Sequence, residues 1–131
     1  MIVVDASVLA PALADDGLDG DTARARLRGE VLAAPELVDL ESASVIRRLQ
    51  REGALDERRA VLALTDLREL PLRRARHVPL LERCWELRDN LTVYAAAYVA
   101  LAEALDVTLL TADARLARAP GTRCRTELLA R

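Results

Sequence analysis

The chain lacks lysine and phenylalanine altogether, and aromatic residues make up only 2% of its 131 residues. Its core must therefore be built from leucine, valine, isoleucine and alanine, because apolar residues still reach 52% of the composition. Together with 31% charged residues, this mixture is typical of a compact globule rich in helix. We expect one domain over residues 1–131, a length that can bury a proper core.

Other absences exclude whole classes of protein. No apolar run approaches the ~18 residues of a membrane span, and the start, MIVVDASVLA, lacks the positive region of a signal peptide. We therefore expect a cytoplasmic protein without membrane contact. Cys84 and Cys124 show no CxxC spacing and fit reduced thiols, although the sequence leaves a disulfide between them open. The net charge of -2 means that any nucleic-acid contact needs a local arginine patch.

Apolar runs and helical spacing alternate along the chain. The continuous apolar run at residues 2–4 predicts a strand buried on both faces of a sheet, and the largely apolar segments at residues 31–34 and 107–110 predict two further strands. Ser7 is expected to cap the helix after the first strand, and Pro35 to open a helix that reaches about residue 50. Strands that alternate with helices predict an α/β fold with a mostly parallel sheet.

The clearest predicted helix covers residues 92–105. Tyr94 and Tyr98 fall on its apolar stripe, so both are expected in the core.

Two carboxylates follow predicted strands. Asp5 comes directly after the first strand, and Asp113 follows the strand at residues 107–110. In parallel α/β sheets, ligands bind beyond the carboxyl ends of the strands, and two aspartates at that edge suit Mg²⁺ or Mn²⁺. The same pattern also fits two simple helix N-caps, and the spacing does not decide between these interpretations.

Glu41 is the third candidate ligand. It lies early in the predicted helix at residues 35–50, where the helix dipole would stabilise a carboxylate without any metal. Glu36 and Asp39 are equally acidic neighbours, which we interpret as surface charges.

Three segments carry a resemblance to a known family. MIVVDASVL, PELVDLESASVIRRL and LRDNLTVYAAAYVALAEALDVTLLTADARLA resemble the PIN-domain toxins of VapBC toxin–antitoxin pairs, in order and over essentially the whole chain. The resemblance implies a three-layer fold with a parallel sheet of about five strands flanked by helices. It also implies an endoribonuclease that uses Mg²⁺ or Mn²⁺, a homodimer, and a small VapB-type antitoxin as partner.

The resemblance assigns roles to particular residues. It implies that Asp5, Glu41 and Asp113 are the catalytic, metal-binding acids. Ser7 and Thr111 match the hydroxyl residues that flank those acids in the family, which implies hydrogen bonds to the carboxylates. A cap and an ordinary strand-end residue remain the alternatives for these two positions.

The chain departs from the family at position 95. Family members usually carry aspartate there, whereas this chain reads Tyr94-Ala95-Ala96-Ala97-Tyr98. Alanine is an excellent helix former, so we expect the fold to survive and one negative ligand to be lost. We therefore expect weak RNA cleavage, and Asp89 is a poor candidate to replace the missing acid.

Arginines are the only source of a basic surface. Arg47, Arg48 and Arg51 lie on the predicted helix of Glu41, and a second group is Arg73, Arg74 and Arg76. Either group could contact RNA phosphates or an acidic antitoxin segment, and a solvated face with ion pairs is the alternative. From these groups we single out Arg47, Arg48 and Arg73.

Three rival functions are open to such a fold. A non-catalytic toxin-like module that binds an antitoxin or RNA is the main alternative, and Ala95 favours it. A phosphoacceptor signalling domain characteristically needs a lysine beside its aspartate, and the chain has no lysine. A haloacid-type phosphatase would need Asp-x-Asp after the first strand, where this chain has Ser7 in place of the second aspartate.

Overall fold

The computed structural model describes residues 1–130 of the chain. Its strands are β1 (Ile2–Val4), β2 (Leu32–Pro35), β3 (Arg73–Ala75), β4 (Leu109–Thr111) and β5 (Thr126–Leu128). Its α-helices are α1 (Ala6–Ala14), α2 (Leu18–Leu27), α3 (Leu37–Arg51), α4 (Glu57–Glu69), α5 (Leu81–Glu86), α6 (Val93–Leu105) and α7 (Ala114–Ala117), and a short 3₁₀ turn at Val78–Leu80 precedes α5.

The five strands form one parallel sheet in the order β3-β2-β1-β4-β5. β1 lies in the middle, where Val3 pairs with Ala33 of β2 on one side and with Leu109 of β4 on the other. The predicted α/β fold with a parallel sheet of about five strands is confirmed. All five carboxyl ends consequently point to one edge of the sheet.

Helices cover both faces of this sheet. Val3 and Val4 are both fully buried although adjacent strand residues point to opposite faces, so each face has a layer of helices over it. α6 packs against β1, β2 and β4, and its residues 96–102 are all buried. α1 packs with α2, α3 and α4 in a second group. The three-layer arrangement is the one that the family resemblance implies.

β5 has no strong signal in the sequence, and the apolar runs did not predict it. It is short, and it carries Glu127 at its centre. Tertiary contacts fix it: Leu110 of β4 pairs with Glu127, and the Arg26 guanidinium donates to both carboxylate oxygens of Glu127 at 2.6 and 2.9 Å. Such a bidentate ion pair holds an edge strand against α2.

Two predicted helix starts are wrong. Asp5 rather than Ser7 occupies the N-cap position of α1, and Ser7 lies inside the first turn. Pro35 ends strand β2 rather than opening a helix, and α3 begins at Leu37. Pro35 pairs with Ala75 of β3, and the amide of the following Glu36 donates to the Ala75 carbonyl at 2.9 Å, so this end of the strand pairing is maintained without an N–H from proline.

The start of α6 agrees with the prediction, but one core residue does not. Thr92 caps the helix by accepting a hydrogen bond from the Ala95 amide at 3.1 Å. Tyr98 is buried at 2% exposure, whereas Tyr94 is 69% exposed and so does not belong to the core. Tyr94 is the second residue of α6 and lines the pocket at the start of that helix, whereas Tyr98 lies one turn further along, within the buried part of α6.

Two absences predicted from the sequence can be compared with the structure. Cys84 and Cys124 are both free thiols, as expected. Among residues 1–130, no helix is long and apolar enough to cross a membrane.

The central strands make the fold sensitive to small losses of volume. Leu109 of β4 is fully buried, so Leu109→Ala is expected to lower the free energy of unfolding by about 2–5 kcal/mol, through lost transfer energy and a cavity. Leu40→Ala on α3, where the side chain is 77% exposed, is the matched control and is expected to change it by less than about 0.5 kcal/mol. Urea unfolding of both variants checks this, and equal losses would contradict the packing described here.

Candidate active site

A pocket of about 470 Å³ opens beyond the carboxyl ends of the central strands. It lies between the starts of α1, α6 and α7 and the first half of α3. Its polar and acidic lining is supplied by residues far apart in sequence, namely Asp5, Ser7, Glu41, Ser44, Thr92, Tyr94, Tyr98 and Asp113. The structure thus brings all three predicted acids to one pocket, and Ala95 lines it too. The catalytic and metal-binding roles of the acids stay predictions.

Asp5 is the deepest of the three acids, with only 6% exposure. Its Oδ1 accepts a hydrogen bond from the Ser7 hydroxyl at 2.6 Å, and its Oδ2 accepts one from the Thr111 hydroxyl at 2.6 Å. One hydroxyl comes from α1 and the other from the end of β4. The carboxylate is therefore held in one orientation from two sides.

The same two hydroxyls also bind backbone beyond β4. Ser7 Oγ accepts from the Ala112 amide at 2.8 Å, and Thr111 Oγ1 accepts from the Asp113 amide at 3.0 Å. Each hydroxyl thus donates to Asp5 and accepts from the segment that leads to Asp113. The position of Asp113 is in this way linked to that of Asp5.

Burial dominates the ionisation of Asp5. It raises the pKa of the carboxyl above its ordinary value, because a charge loses hydration in the interior. The hydroxyl bonds from Ser7 and Thr111 lower the pKa, and the negative charge of Asp113 raises it further. The last contribution shows that the two aspartates are close enough to repel each other, which is the electrostatic situation that a cation relieves.

Glu41 is held by a residue that the sequence analysis assigned only to the core. The Tyr98 hydroxyl donates a hydrogen bond to Glu41 Oε1 across the gap between α6 and α3. Burial, and then the hydrogen bond to Glu41 and its charge, raise the pKa of the Tyr98 phenol, so it remains a donor. The sequence held one indication of this bond. Tyr98 lies one turn after position 95, and a buried phenol needs a hydrogen-bond partner.

Asp113 differs from Asp5 in its surroundings. It is exposed, and its Oδ1 accepts from the Arg115 amide at 2.9 Å, which makes it the N-cap of α7. The capping interpretation therefore holds for one oxygen of Asp113, while its backbone position puts the residue in the pocket wall. Ala95 contributes only a methyl group there.

The acids do not form a complete metal cage by themselves. Across residues 1–130, no three His, Cys, Asp or Glu side chains come close enough together to hold a metal ion. The donor chemistry nevertheless fits Mg²⁺, which keeps several water ligands and needs only one or two protein carboxylates besides substrate phosphate. Asp5 and Asp113 could supply these two carboxylates, and Glu41 a third from across the pocket.

The three arginines predicted to contact RNA or an antitoxin differ in their position relative to this pocket. Arg48 lines a neighbouring pocket that shares Ala6, Ser7 and Val45 with the acidic one. Arg47 is exposed on α3, and Arg73 is exposed on the edge strand β3.

Arg74 is occupied by structural contacts. It donates to Asp39 Oδ2 at 2.7 Å and to the Leu67 carbonyl at 2.9 Å. Asp39 is accordingly an ion-pair partner rather than the plain surface charge that we expected.

The PIN domain family model matches residues 2–121 of the chain. Ribonuclease VapC9 of Mycobacterium tuberculosis is 49% identical over 127 residues, which are 95% of this chain and 94% of VapC9. The chain belongs to the VapC ribonucleases of the PIN-domain family. The resemblance seen in the sequence is therefore confirmed.

Further relatives agree with this membership. Ribonuclease VapC1 of M. tuberculosis is 44% identical over 128 residues, covering 97% of this chain and 96% of VapC1. Among solved structures, M. tuberculosis VapC20, described as a Sarcin-Ricin loop cleaving toxin, superimposes with a TM-score of 0.71. Its 20% sequence identity over 94% of this chain and 97% of VapC20 supports the fold alone.

The raised pKa of Asp5 predicts how stability depends on pH. Because the folded state holds the Asp5 proton more tightly than the unfolded state, stability from this group falls as the pH rises from about 4 through the folded pKa. Asp5→Asn cannot ionise at this position, so it should lose less stability than the natural chain does when the pH is raised from 4 to 7. Comparing each protein with itself at the two pH values separates this effect from the hydroxyl bond that the substitution weakens.

Urea unfolding with EDTA at pH 7 and pH 4 measures this difference without interference from metal. Asp89→Asn removes an exposed aspartate outside the pocket and is the matched control, with no expected change. If Asp5→Asn loses as much stability between pH 4 and pH 7 as the natural chain, the dominance of burial is contradicted.

Proposed function

We propose that the chain is a metal-dependent endoribonuclease toxin of a type II toxin–antitoxin system, weakened by alanine at position 95. The observation that carries the proposal is the meeting of Asp5, Glu41 and Asp113 in one pocket at the carboxyl edge of the sheet. The names of the relatives, which are VapC ribonucleases at 44–49% identity, supply the reaction.

Mg²⁺ or Mn²⁺ is the proposed cofactor. Asp5 and Asp113 would hold it, with Glu41 completing the acidic side of the pocket. When bound, such an ion lowers the pKa of a water and neutralises charge on the phosphate under attack. The mutual repulsion of Asp5 and Asp113 supports this assignment, because the ion removes it.

The residues around the acids have the proposed task of fixing them. Ser7 and Thr111 hold both oxygens of Asp5. Because a carboxylate oxygen has two lone pairs, each can accept a hydroxyl and still face a cation. Hydrogen bonds of this type typically orient metal ligands and raise metal affinity.

Position 95 is where the proposed site is incomplete. Ala95 lies in the pocket wall in the first turn of α6, so an aspartate there would face the other three acids. With alanine, one negative ligand is replaced by a methyl group. We expect weaker metal binding and slow cleavage from an otherwise intact fold.

The proposed partners follow from family membership. They are an RNA substrate, a cognate VapB-type antitoxin, and a second copy of the chain in a homodimer. Arg48, beside the pocket, is the best placed of the proposed RNA or antitoxin contacts. We also propose a cytoplasmic location, since RNA is cut there and the two cysteines are free thiols.

A toxin-like module that binds an antitoxin or RNA without cutting is the second candidate. It is favoured by Ala95 and by the lack of a three-ligand acidic cluster within residues 1–130. Calorimetric titration with Mn²⁺ separates the candidates, because a weakened metal site still gives a binding isotherm at high Mn²⁺ concentration and a module without a metal site gives none.

Ala95→Asp is the decisive test of the main proposal. It should raise Mn²⁺ affinity by about 10–100-fold or more and increase RNA cleavage, since a missing ligand is restored. Calorimetry and cleavage of a fluorescent RNA measure the two effects. No gain in either would remove position 95 from the metal site.

Two control variants make the result specific. Ala104→Asp adds the same charge to an exposed position of α6 outside the pocket, and should leave both readouts unchanged. Ala95→Asp combined with Asp5→Ala should lose the gain, because the remaining acids cannot hold the ion alone.

A further inference from the structure

A hydrogen bond between Tyr98 and Glu41 joins α6 to α3 at the wall of the acidic pocket. Tyr98 lies on α6 and is 2% exposed, and its hydroxyl donates to Glu41 Oε1. Glu41 lies on α3 and is only half-buried. Both residues line the acidic pocket.

The two partners differ in how freely they can move. The Tyr98 ring is fixed by burial in the core cluster that joins α6 to the sheet. Glu41 has a long side chain with three rotatable bonds, and its exposed part can turn toward water. The phenol is consequently the fixed partner, and the carboxylate is the group whose direction the bond decides.

Glu41 differs in this respect from the other two acids. Asp5 is fixed by two hydroxyls, and Asp113 is fixed by the cap of α7. Without Tyr98, Glu41 would be the one acid of the pocket whose direction depended on its own rotamers. A long side chain that is free to rotate places its charge poorly.

We propose that Tyr98 is a positioning residue that holds Glu41 toward the metal side of the pocket. The inference rests on the proposed metal-dependent function and assigns to Tyr98 a role besides packing. Tyr98 does not contact the metal or RNA in this proposal. Its hydroxyl donates to Oε1 of Glu41 and so limits the directions in which the carboxylate can point.

Tyr98→Phe is the variant that isolates this role. It keeps the buried ring and removes only the hydroxyl, while the half-buried Glu41 can bind water instead. In the Ala95→Asp background, Tyr98→Phe should lower Mn²⁺ affinity about tenfold, as the loss of a hydrogen bond to a metal ligand typically does. In a background that also carries Glu41→Ala, the same substitution should change Mn²⁺ affinity by less than about twofold.

A purely structural role would give a different result. Leu101→Val removes buried volume from α6 and keeps both the phenol and the carboxylate, so it measures the effect of destabilisation alone. If it lowers Mn²⁺ affinity as much as Tyr98→Phe does, or if Tyr98→Phe is equally harmful without Glu41, the proposal is overturned.

A second readout needs no metal. In the natural chain labelled with ¹³C-tyrosine, the Tyr98 hydroxyl proton should exchange slowly with water, and this protection should be lost in Glu41→Ala. If neither the natural chain nor Ala95→Asp binds Mn²⁺, the result counts against the proposed function. In that case the exchange rate of the Tyr98 hydroxyl proton alone decides whether Tyr98 holds Glu41. An unprotected proton in the natural chain overturns the proposal.

Discussion

A carboxylate buried at the centre of the sheet edge is the constraint on which the rest of this structure depends. Asp5 has 6% exposure and accepts hydroxyl bonds from α1 and β4. A buried charge is costly unless it is hydrogen-bonded, so Ser7 and Thr111 must lie where they do. This in turn fixes the register of β1 and β4, in which Val4 pairs with Leu110, since a shift by one residue would turn Thr111 to the other face.

At this site, folding stability and metal binding favour opposite protonation states of Asp5. Burial and the charge of Asp113 disfavour ionised Asp5 in the folded protein, yet an ionised carboxylate is the form that a metal requires. Strain of this kind typically concentrates at functional sites. An aspartate at position 95 would add a negative charge to the wall of this pocket and so add repulsion in the absence of a cation. Alanine avoids this repulsion, although the proposed metal site then lacks one ligand.

The parts of the fold that the sequence predicted are those with a local cause. Strands β1, β2 and β4 are short apolar runs buried on both faces, and Thr92 caps α6 through its own side chain. β5 escaped prediction because its position depends on pairing with β4 and on an ion pair between Arg26 and Glu127, residues 101 positions apart. Helical periodicity likewise placed Tyr94 on the stripe of Tyr98, but only the packing of α6 shows that one ring is exposed.

By itself the sequence determined the family and the parallel sheet, and it predicted three site acids and a departure from the family at position 95. Those properties reside in residue types and their order along the chain. Only the tertiary structure decided that Asp5 is buried and doubly hydrogen-bonded, that Asp113 also caps a helix, and that Glu41 is bound by Tyr98. The bonds from Tyr98 to Glu41 and from Thr111 to Asp5 join residues 57 and 106 positions apart, and local patterns carry no record of such contacts. The cap of Asp113 is local, but the sequence pattern allowed both a cap and a ligand, and only the structure shows the cap.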